Sequence, residues 1–327
     1  MNANGEPRVP MEVIDAPFRE VSDVVVEPRA RQRPLWPALL LFLLTIVSTL
    51  AVGSEFAKSY ANNIPPFSAS DNPFSPVFQA FAHPRLLLLG IPFSFTLIGI
   101  LLAHELGHYF ACRYYRIDAS YPYFIPGPPY FGTFGAFIMI RSPFTSRRAL
   151  FDVGIAGPIA GFVVAVPAMA WAVATSKVLP AAQADASVIF GVPPLMRIFT
   201  ALFHPDVDPS WLLLHPVGRA AWMGLFATAL NLFPAWQLDG GHIVFALTSR
   251  RHQRISIGVS LVLLWMGIYT WHAWAVWGIA LLVLSLRFKH PPLLDRWEPL
   301  DATRKLWAFV ALAIFLLSFM VWPVTNP

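Results

Sequence analysis

Long apolar runs with few charges alternate along this chain with short polar, basic or proline-rich intervals. Apolar and polar residues do not alternate at period two within the runs, so they predict helices and not the strands of a barrel. The runs fall at 36–54, 86–115, 149–174, 217–248, 255–287 and 306–322. The fifth, at about 33 residues, exceeds the roughly 20 that one membrane crossing needs. Trp271-His272 near its middle predicts a tight hairpin of two short helices. The expected fold class is an all-α polytopic membrane protein with about seven transmembrane helices.

The intervals set the expected domain organisation. Residues 1–34 are polar, proline-containing and unperiodic, and predict a disordered cytosolic tail. Residues 35–290 form the expected membrane core, and 291–327 a cytosolic linker with a C-terminal transmembrane helix. Asn62, Asn63, Pro65, Pro66, Asp71, Pro73 and Pro76 predict a loop over 55–84. Segment 188–203 predicts a helix lying at the membrane interface. The stretch 117–147 is rich in Pro and Gly yet uncharged from Ala119 to Ile140, so it fits neither a helix nor a soluble loop.

Composition strengthens the membrane reading. Of 327 residues 56% are hydrophobic and 13% charged, with mean hydropathy +0.57; soluble domains carry about 25% charged residues. The net charge of +5 does not point to nucleic acid, because the basic residues sit at the ends of apolar runs. With a cytosolic N-terminus, 18 of the 23 Lys and Arg residues gather on the cytosolic side, as the positive-inside rule requires. The single Cys112 excludes an intramolecular disulfide and a thiolate zinc cluster. Neither a cleavable signal peptide nor a transit peptide is expected in the first 34 residues, which favours a bacterial inner membrane.

The candidate chemistry lies in His104-Glu-Leu-Gly-His108, inside the second run. Histidines four residues apart on a helix point the same way, so both rings can grip one zinc ion while Glu105 stands beside it as a proton acceptor. A catalytic zinc site needs a third protein ligand. Asp239 is the candidate, an acid in an otherwise apolar run, where an unpaired carboxylate is costly. Depth agrees: His108 precedes Arg113 and Arg116 by roughly 8–12 Å of helix, and Asp239 precedes Arg250 by roughly 16 Å if the run is helical.

These residues resemble the paired motifs of the site-2 proteases. HELGH matches HExxH, and Asn231-Leu-Phe-Pro234-Ala-Trp-Gln-Leu-Asp239-Gly240 matches NxxPxxxxDG. Gly132-Thr-Phe-Gly-Ala136 and the segment from Ala149 to Pro158 resemble the family's re-entrant element and third core helix. No stretch is long or polar enough for an inserted PDZ domain, which suggests the compact type. The resemblance implies one zinc per chain on His104, His108 and Asp239, with Glu105 as general acid/base. It implies a single-span membrane protein as substrate, within a lipid bilayer. Asn231 is a candidate for binding substrate or the oxyanion. Gly132, Phe134 and Gly135 are candidates for holding an unwound substrate against a strand edge.

Other polar residues have plainer readings. Asp152 reads as a carboxylate favoured by the dipole of its helix. Gly157-x-x-x-Gly161 reads as close helix packing. His242 is equally a neighbour of Asp239 or a polar position facing the cytosol. Cys112 shares the motif's face but would close the open coordination position. The remaining histidines, at 83, 204, 215, 252, 272 and 290, read as interfacial.

Overall fold

The computed structural model describes residues 34–64, 78, 82–127, 130–179, 189–288, 290, 293 and 299–325. Residues 1–33 of the predicted tail fall outside them, as do 65–77, most of 291–298 and, in the connector expected from Lys177 to His215, residues 180–188. The chain divides after Leu35, and the fold below is that of the second unit.

Nine α-helices among the described residues carry the architecture. Helix α1 spans Trp36–Asn62, α2 Ile91–Tyr114, α3 Arg147–Ala174, α4 Pro194–Phe203 and α5 Pro216–Asn231. Helix α6 spans Asp239–Thr248, α7 His252–Tyr269, α8 Ala273–Arg287 and α9 Ala302–Ser318. Three apolar helical stretches are long enough to cross a bilayer: Trp36–Asn62, Pro84–Tyr114 and Arg147–Ala174. Large apolar side chains such as Leu43, Phe95, Val163, Trp265, Ile279 and Leu312 stand exposed on these and neighbouring helices. In water so much apolar surface would be anomalous; on the three long helices it fits the lipid-facing side of a membrane protein.

Helix α3 is the hub, packing against α2, α4, α5, α6 and α9. One core, with Phe93, Leu97, Met169 and Trp222, fills the space between α1, α2, α3 and α5. A second gathers Cys112, Phe144, Leu150, Ile243 and Ile314 at the end where the arginines cluster. The α7–α8 hairpin turns at Trp271-His272 as its sequence predicts, and its core joins Leu263, Trp274 and Leu281 to Phe233 and Ala235.

Several expectations are corrected. The loop expected from residue 55 begins later, because α1 runs on to Asn62 and Asn63 ends it in the left-handed region at φ 57°. The second run opens with a 3₁₀ turn, Pro84–Gly90, before α2. The single helix expected over 217–248 is two, α5 and α6, parted by non-helical residues 232–238. Pro234 lacks the N–H that would continue the ladder, and Trp236 adopts φ 48°, which no right-handed helix contains. The last helix starts and ends about four residues early, capped by the Asp301 carboxylate accepting from the Arg304 N–H.

The Gly/Pro-rich stretch forms an antiparallel hairpin of β1, Tyr123–Pro126, and β2, Thr133–Phe137. Ile125 faces Gly135 and Pro126 faces Thr133, so Phe134 is the extra residue of a β-bulge. Helix α1 anchors the turn, with Ser48 Oγ donating to the Gly132 carbonyl at 2.6 Å. Short strand pairs tie the opposite end: β3, Lys177–Val178, with β5, Leu212–Leu213, and β4, Ile189–Phe190, with β6, Val324–Thr325. Within the predicted interfacial segment, α4 buries Leu195, Met196 and Thr200 and exposes Ile198 and Leu202.

Candidate metal centre and substrate cleft

His104 and His108 lie one turn apart in α2, and both are buried. Asp239, the first residue of α6, approaches them from across the bundle. The Nε2 atoms of the two histidines are 3.1 Å apart. Asp239 Oδ2 lies 3.1 Å from His104 Nε2, and its Oδ1 lies 3.3 Å from His108 Nε2. One ligand atom from each residue falls within 4.8 Å of the others.

These donors fit zinc. Tetrahedral nitrogen and oxygen ligands about 2.0–2.1 Å from an ion stand roughly 3.3–3.4 Å from one another, close to the separations found. The His108 Nδ1–H donates to the Val153 carbonyl of α3 at 2.7 Å. That bond fixes the tautomer and leaves the Nε2 lone pair for a metal. Two imidazoles and one carboxylate make a three-ligand set that keeps a position open for water or substrate.

Glu105 is buried beside the cluster and within reach of the backbone amide of Ile138, just past β2. Asn231, the last residue of α5, points its amide Nδ2 at His104 Nε2 at 3.3 Å. His104, Glu105 and Asn231 line a cavity of about 110 Å³ together with Phe134, Gly135 and Ala136 of β2. An apolar cavity of about 230 Å³, lined by Leu97, Phe131, Met223, Phe226 and Trp271, adjoins it and shares Phe134, Gly135, Ala227 and Leu230. Phe134 is 73% exposed above both. Among the described residues the sheet has two strands, so β2 pairs with β1 on one side and no other described strand pairs with its second edge. Gly132 does not touch this cavity; with φ 75° it makes the turn before β2 and packs on Thr49 of α1.

The stretch 92–270 matches the family model described as Peptidase family M50, which covers more than half of the chain. The chain belongs to peptidase family M50. This is the family of the site-2 proteases. Among curated proteins the chain is 29% identical over 299 residues to "Probable zinc metalloprotease EGY1, chloroplastic" of Arabidopsis thaliana, covering 88% of this chain and 53% of that protein. The rice protein of the same name is 28% identical over 302 residues, 88% of this chain and 50% of its own length. "Probable zinc metalloprotease EGY2, chloroplastic" of Arabidopsis is 28% identical over 245 residues, 73% and 40%. The chain thus spans about half the length of these relatives. The M50 match takes in both halves of the metal cluster, His104-to-His108 and Asp239, together with β2 and Asn231.

Other polar residues differ from their sequence readings. Asp152 is not a simple helix-dipole carboxylate: Arg304 of α9 donates to it through Nε at 2.8 Å and Nη2 at 2.5 Å, and the Tyr115 hydroxyl donates to it as well. His242 faces His290, with Nδ1 and Nε2 2.9 Å apart. His252 is buried and not interfacial, its Nε2–H donating to the Trp236 carbonyl at 3.0 Å. That bond, with the Trp236 N–H donating to Ser256 Oγ at 3.1 Å, holds the break between α5 and α6. Sequence reasoning missed both α7 residues, since neither carries a motif. Cys112 is fully buried in apolar packing.

Proposed function

We propose that this protein is an intramembrane zinc metalloprotease that hydrolyses peptide bonds within the transmembrane segments of single-span membrane proteins, in regulated intramembrane proteolysis. The observation that carries the reading is the cluster of His104, His108 and Asp239, whose His104 lines one cavity together with Glu105, Asn231 and residues 134–136 of β2. Family membership and the zinc metalloprotease names of the plant relatives support it. One zinc per chain is held by those three side chains, with two imidazole donors and one carboxylate.

Bound zinc supplies a Lewis acid that makes water nucleophilic near neutral pH and polarises a carbonyl. Glu105 accepts the proton of the attacking water and returns it to the leaving amine. The Asn231 amide, one hydrogen-bond length from His104 Nε2, donates to the oxyanion or to the substrate backbone. A substrate helix hides its carbonyls in its own ladder, so it must be extended before it is cut. The free edge of β2 holds the extended segment by strand addition, with Gly135 beside the scissile bond and Phe134 over the apolar cavity.

The seven-span topology, with the β hairpin as a re-entrant element, suits this chemistry because non-helical backbone at membrane depth is tolerated where it lines a cavity. The N-terminus and the opening to water are cytosolic, on the side of Arg113, Arg250 and Arg251. The membrane is a bacterial inner membrane, although the relatives named above are chloroplastic. The test is zinc content together with cleavage of a purified single-span substrate, wild type against Glu105→Gln. Zinc near one per chain in both, with cleavage in wild type and at least about 100-fold less in the variant, is expected. Equal cleavage by the variant overturns the role of Glu105, and absence of zinc overturns the reading.

A further inference from the structure

The apolar cavity of about 230 Å³ beside the metal centre takes one wall from α5. Met223, Phe226, Ala227 and Leu230 stand at i, i+3, i+4 and i+7, so a single face of that helix is turned to it. The stripe ends next to Asn231, and Ala227, Leu230 and Gly135 also line the cavity that holds His104 and Glu105. A Cβ added at Gly135 would meet nothing within 4 Å, so bare backbone separates open space on the two sides.

The chemistry of the walls selects the occupant. No charged residue lines the cavity among the described residues. Its one hydroxyl is already used, since Thr133 Oγ1 donates to the Ile125 carbonyl at 2.7 Å and accepts from the Gly135 N–H at 2.9 Å. A polar occupant would give up its water and find little beyond the Trp271 indole to replace it. An apolar cavity of about 150 Å³ holds a benzene molecule, so this one has room for a large apolar side chain. Trp271 lines this cavity and not the metal one, and meets Phe226 edge to face with centroids 6.0 Å apart. The M50 match ends at residue 270, so this indole comes from just past the matched stretch.

We propose that this cavity is the specificity pocket of the protein, taking one large apolar side chain of the substrate within two residues of the cut bond, with Phe226 and Trp271 setting the size it accepts. The inference rests on the protease reading above and adds to it a preference at one substrate position. The stripe from Met223 to Leu230 covers about 10 Å of helix, the length of about three residues of extended chain. A segment laid along β2 therefore passes the pocket close to the metal. Successive side chains of such a segment point to opposite faces, so the immediate neighbours of the selected residue point elsewhere.

The test is cleavage by the full chain in nanodiscs, with zinc content measured alongside. The substrate is a single-span segment in which each residue within two positions of the cut bond is set in turn to Ala, Leu, Phe or Trp. Cleavage is read by mass spectrometry as a ratio to the same enzyme's cleavage of the Ala substrate. Wild type is expected to favour Leu or Phe over Ala at one position by at least about tenfold. Ala227→Phe puts a ring into the cavity and should bring that ratio close to one. Trp271→Ala enlarges the cavity and should raise Trp relative to Leu by about tenfold; it carries the test if Ala227→Phe fails to fold. Trp265→Ala, exposed on α7 and outside the cavity wall, should keep the wild-type ratios. Flat ratios at every position, ratios unchanged in both pocket variants, or an equal loss in Trp265→Ala overturn the proposal and leave the cavity to a lipid acyl chain. The protease reading survives those results so long as zinc is bound and the Ala substrate is cut. A zinc-loaded wild type that cuts no substrate overturns that reading and this inference with it.

Discussion

Gly157 of α3 packs directly on the ring of a metal ligand, His108. A Cβ built there would stand 2.1 Å from His108 Nε2, 2.4 Å from Cδ2 and 2.6 Å from Cε1. Carbon and ring atoms need about 3.5 Å, so in Gly157→Ala the imidazole must retreat by roughly 1.4 Å or the helices must part. Overpacking of this kind costs about 1–3 kcal/mol. Ring displacement would also break the 2.7 Å bond from His108 Nδ1 to the Val153 carbonyl; loss of such an orienting partner typically weakens metal binding about 10–100-fold. At about 1.4 kcal/mol per tenfold that loss is about 1.4–2.8 kcal/mol of zinc binding, similar in size to the overpacking cost. Gly161, one turn on, supplies the control. Its Cβ would meet His104 Cβ at 3.1 Å and Nδ1 at 3.3 Å, a clash relieved by a few tenths of an ångström, and Gly161→Ala should weaken zinc by less than about threefold. The assay is competitive zinc titration against a chelator in detergent, with far-ultraviolet circular dichroism to verify the helices. Wild-type affinity in Gly157→Ala, or equal losses in both variants, would refute the reasoning.

Asn231→Ala should leave zinc affinity within a few-fold and lower cleavage about 100–1,000-fold, the usual scale for an oxyanion donor; unchanged turnover would make Asn231 a packing residue. His252→Ala strips the buried Trp236 carbonyl of its donor at the helix break. It should destabilise by about 1–3 kcal/mol, read as a lower thermal midpoint, and a midpoint equal to wild type would show that the break holds itself. Arg304→Ala removes the partner of Asp152, Tyr115 and Asp301 at the foot of α9 and should cost about 1 kcal/mol as a partly exposed network, seen as faster proteolysis near residue 300. The same foot weakens in acid. The backbone N–H of Arg304 holds the Asp301 carboxyl below its ordinary range, so the cap's contribution is present above that range and lost as pH falls through the lowered value. Proteolysis that is flat with pH would contradict this.

What could be read in advance was local. HELGH declares itself because helical spacing places two histidines on one face within five residues, and Asp239 because an acid in an apolar run needs a reason. What escaped depends on partners far along the chain. Within 117–147 the sequence marks Gly132–Ala136 as a candidate strand edge only through its resemblance, since the pairing of Tyr123 with Phe137 has no local signature. The glycines of Gly157-x-x-x-Gly161 signal close packing, but that the objects packed are the rings of His108 and His104 is known only once α2 lies on α3. Asp152 finds Arg304 152 residues away. The break after Asn231 is disguised by composition: Leu232, Phe233, Ala235 and Trp236 continue the apolar run, and a tryptophan at positive φ is the last residue expected to turn a chain.

That break is a geometric necessity for the site. On one continuous helix Asn231 and Asp239 would be separated by eight residues, about 12 Å along the axis, and turned about 80° from each other. Yet both reach the same atom, His104 Nε2, at 3.3 and 3.1 Å. A straight helix can present one or the other to the cluster but not both. Interrupting it lets the end of α5 and the start of α6 converge, and the cost is a stretch of backbone without a helical ladder. The surrounding residues meet that cost group by group. His252 donates to the Trp236 carbonyl and Ser256 accepts from its amide. Gly240 and Gly241 bring the first turn of α6 against the break, where a Cβ would fall 2.1 Å from the Leu232 carbonyl and 2.4 Å from that of Trp236. The glycines that follow Asp239 are therefore part of what aims it, which is why the motif reads through the aspartate and does not end on it.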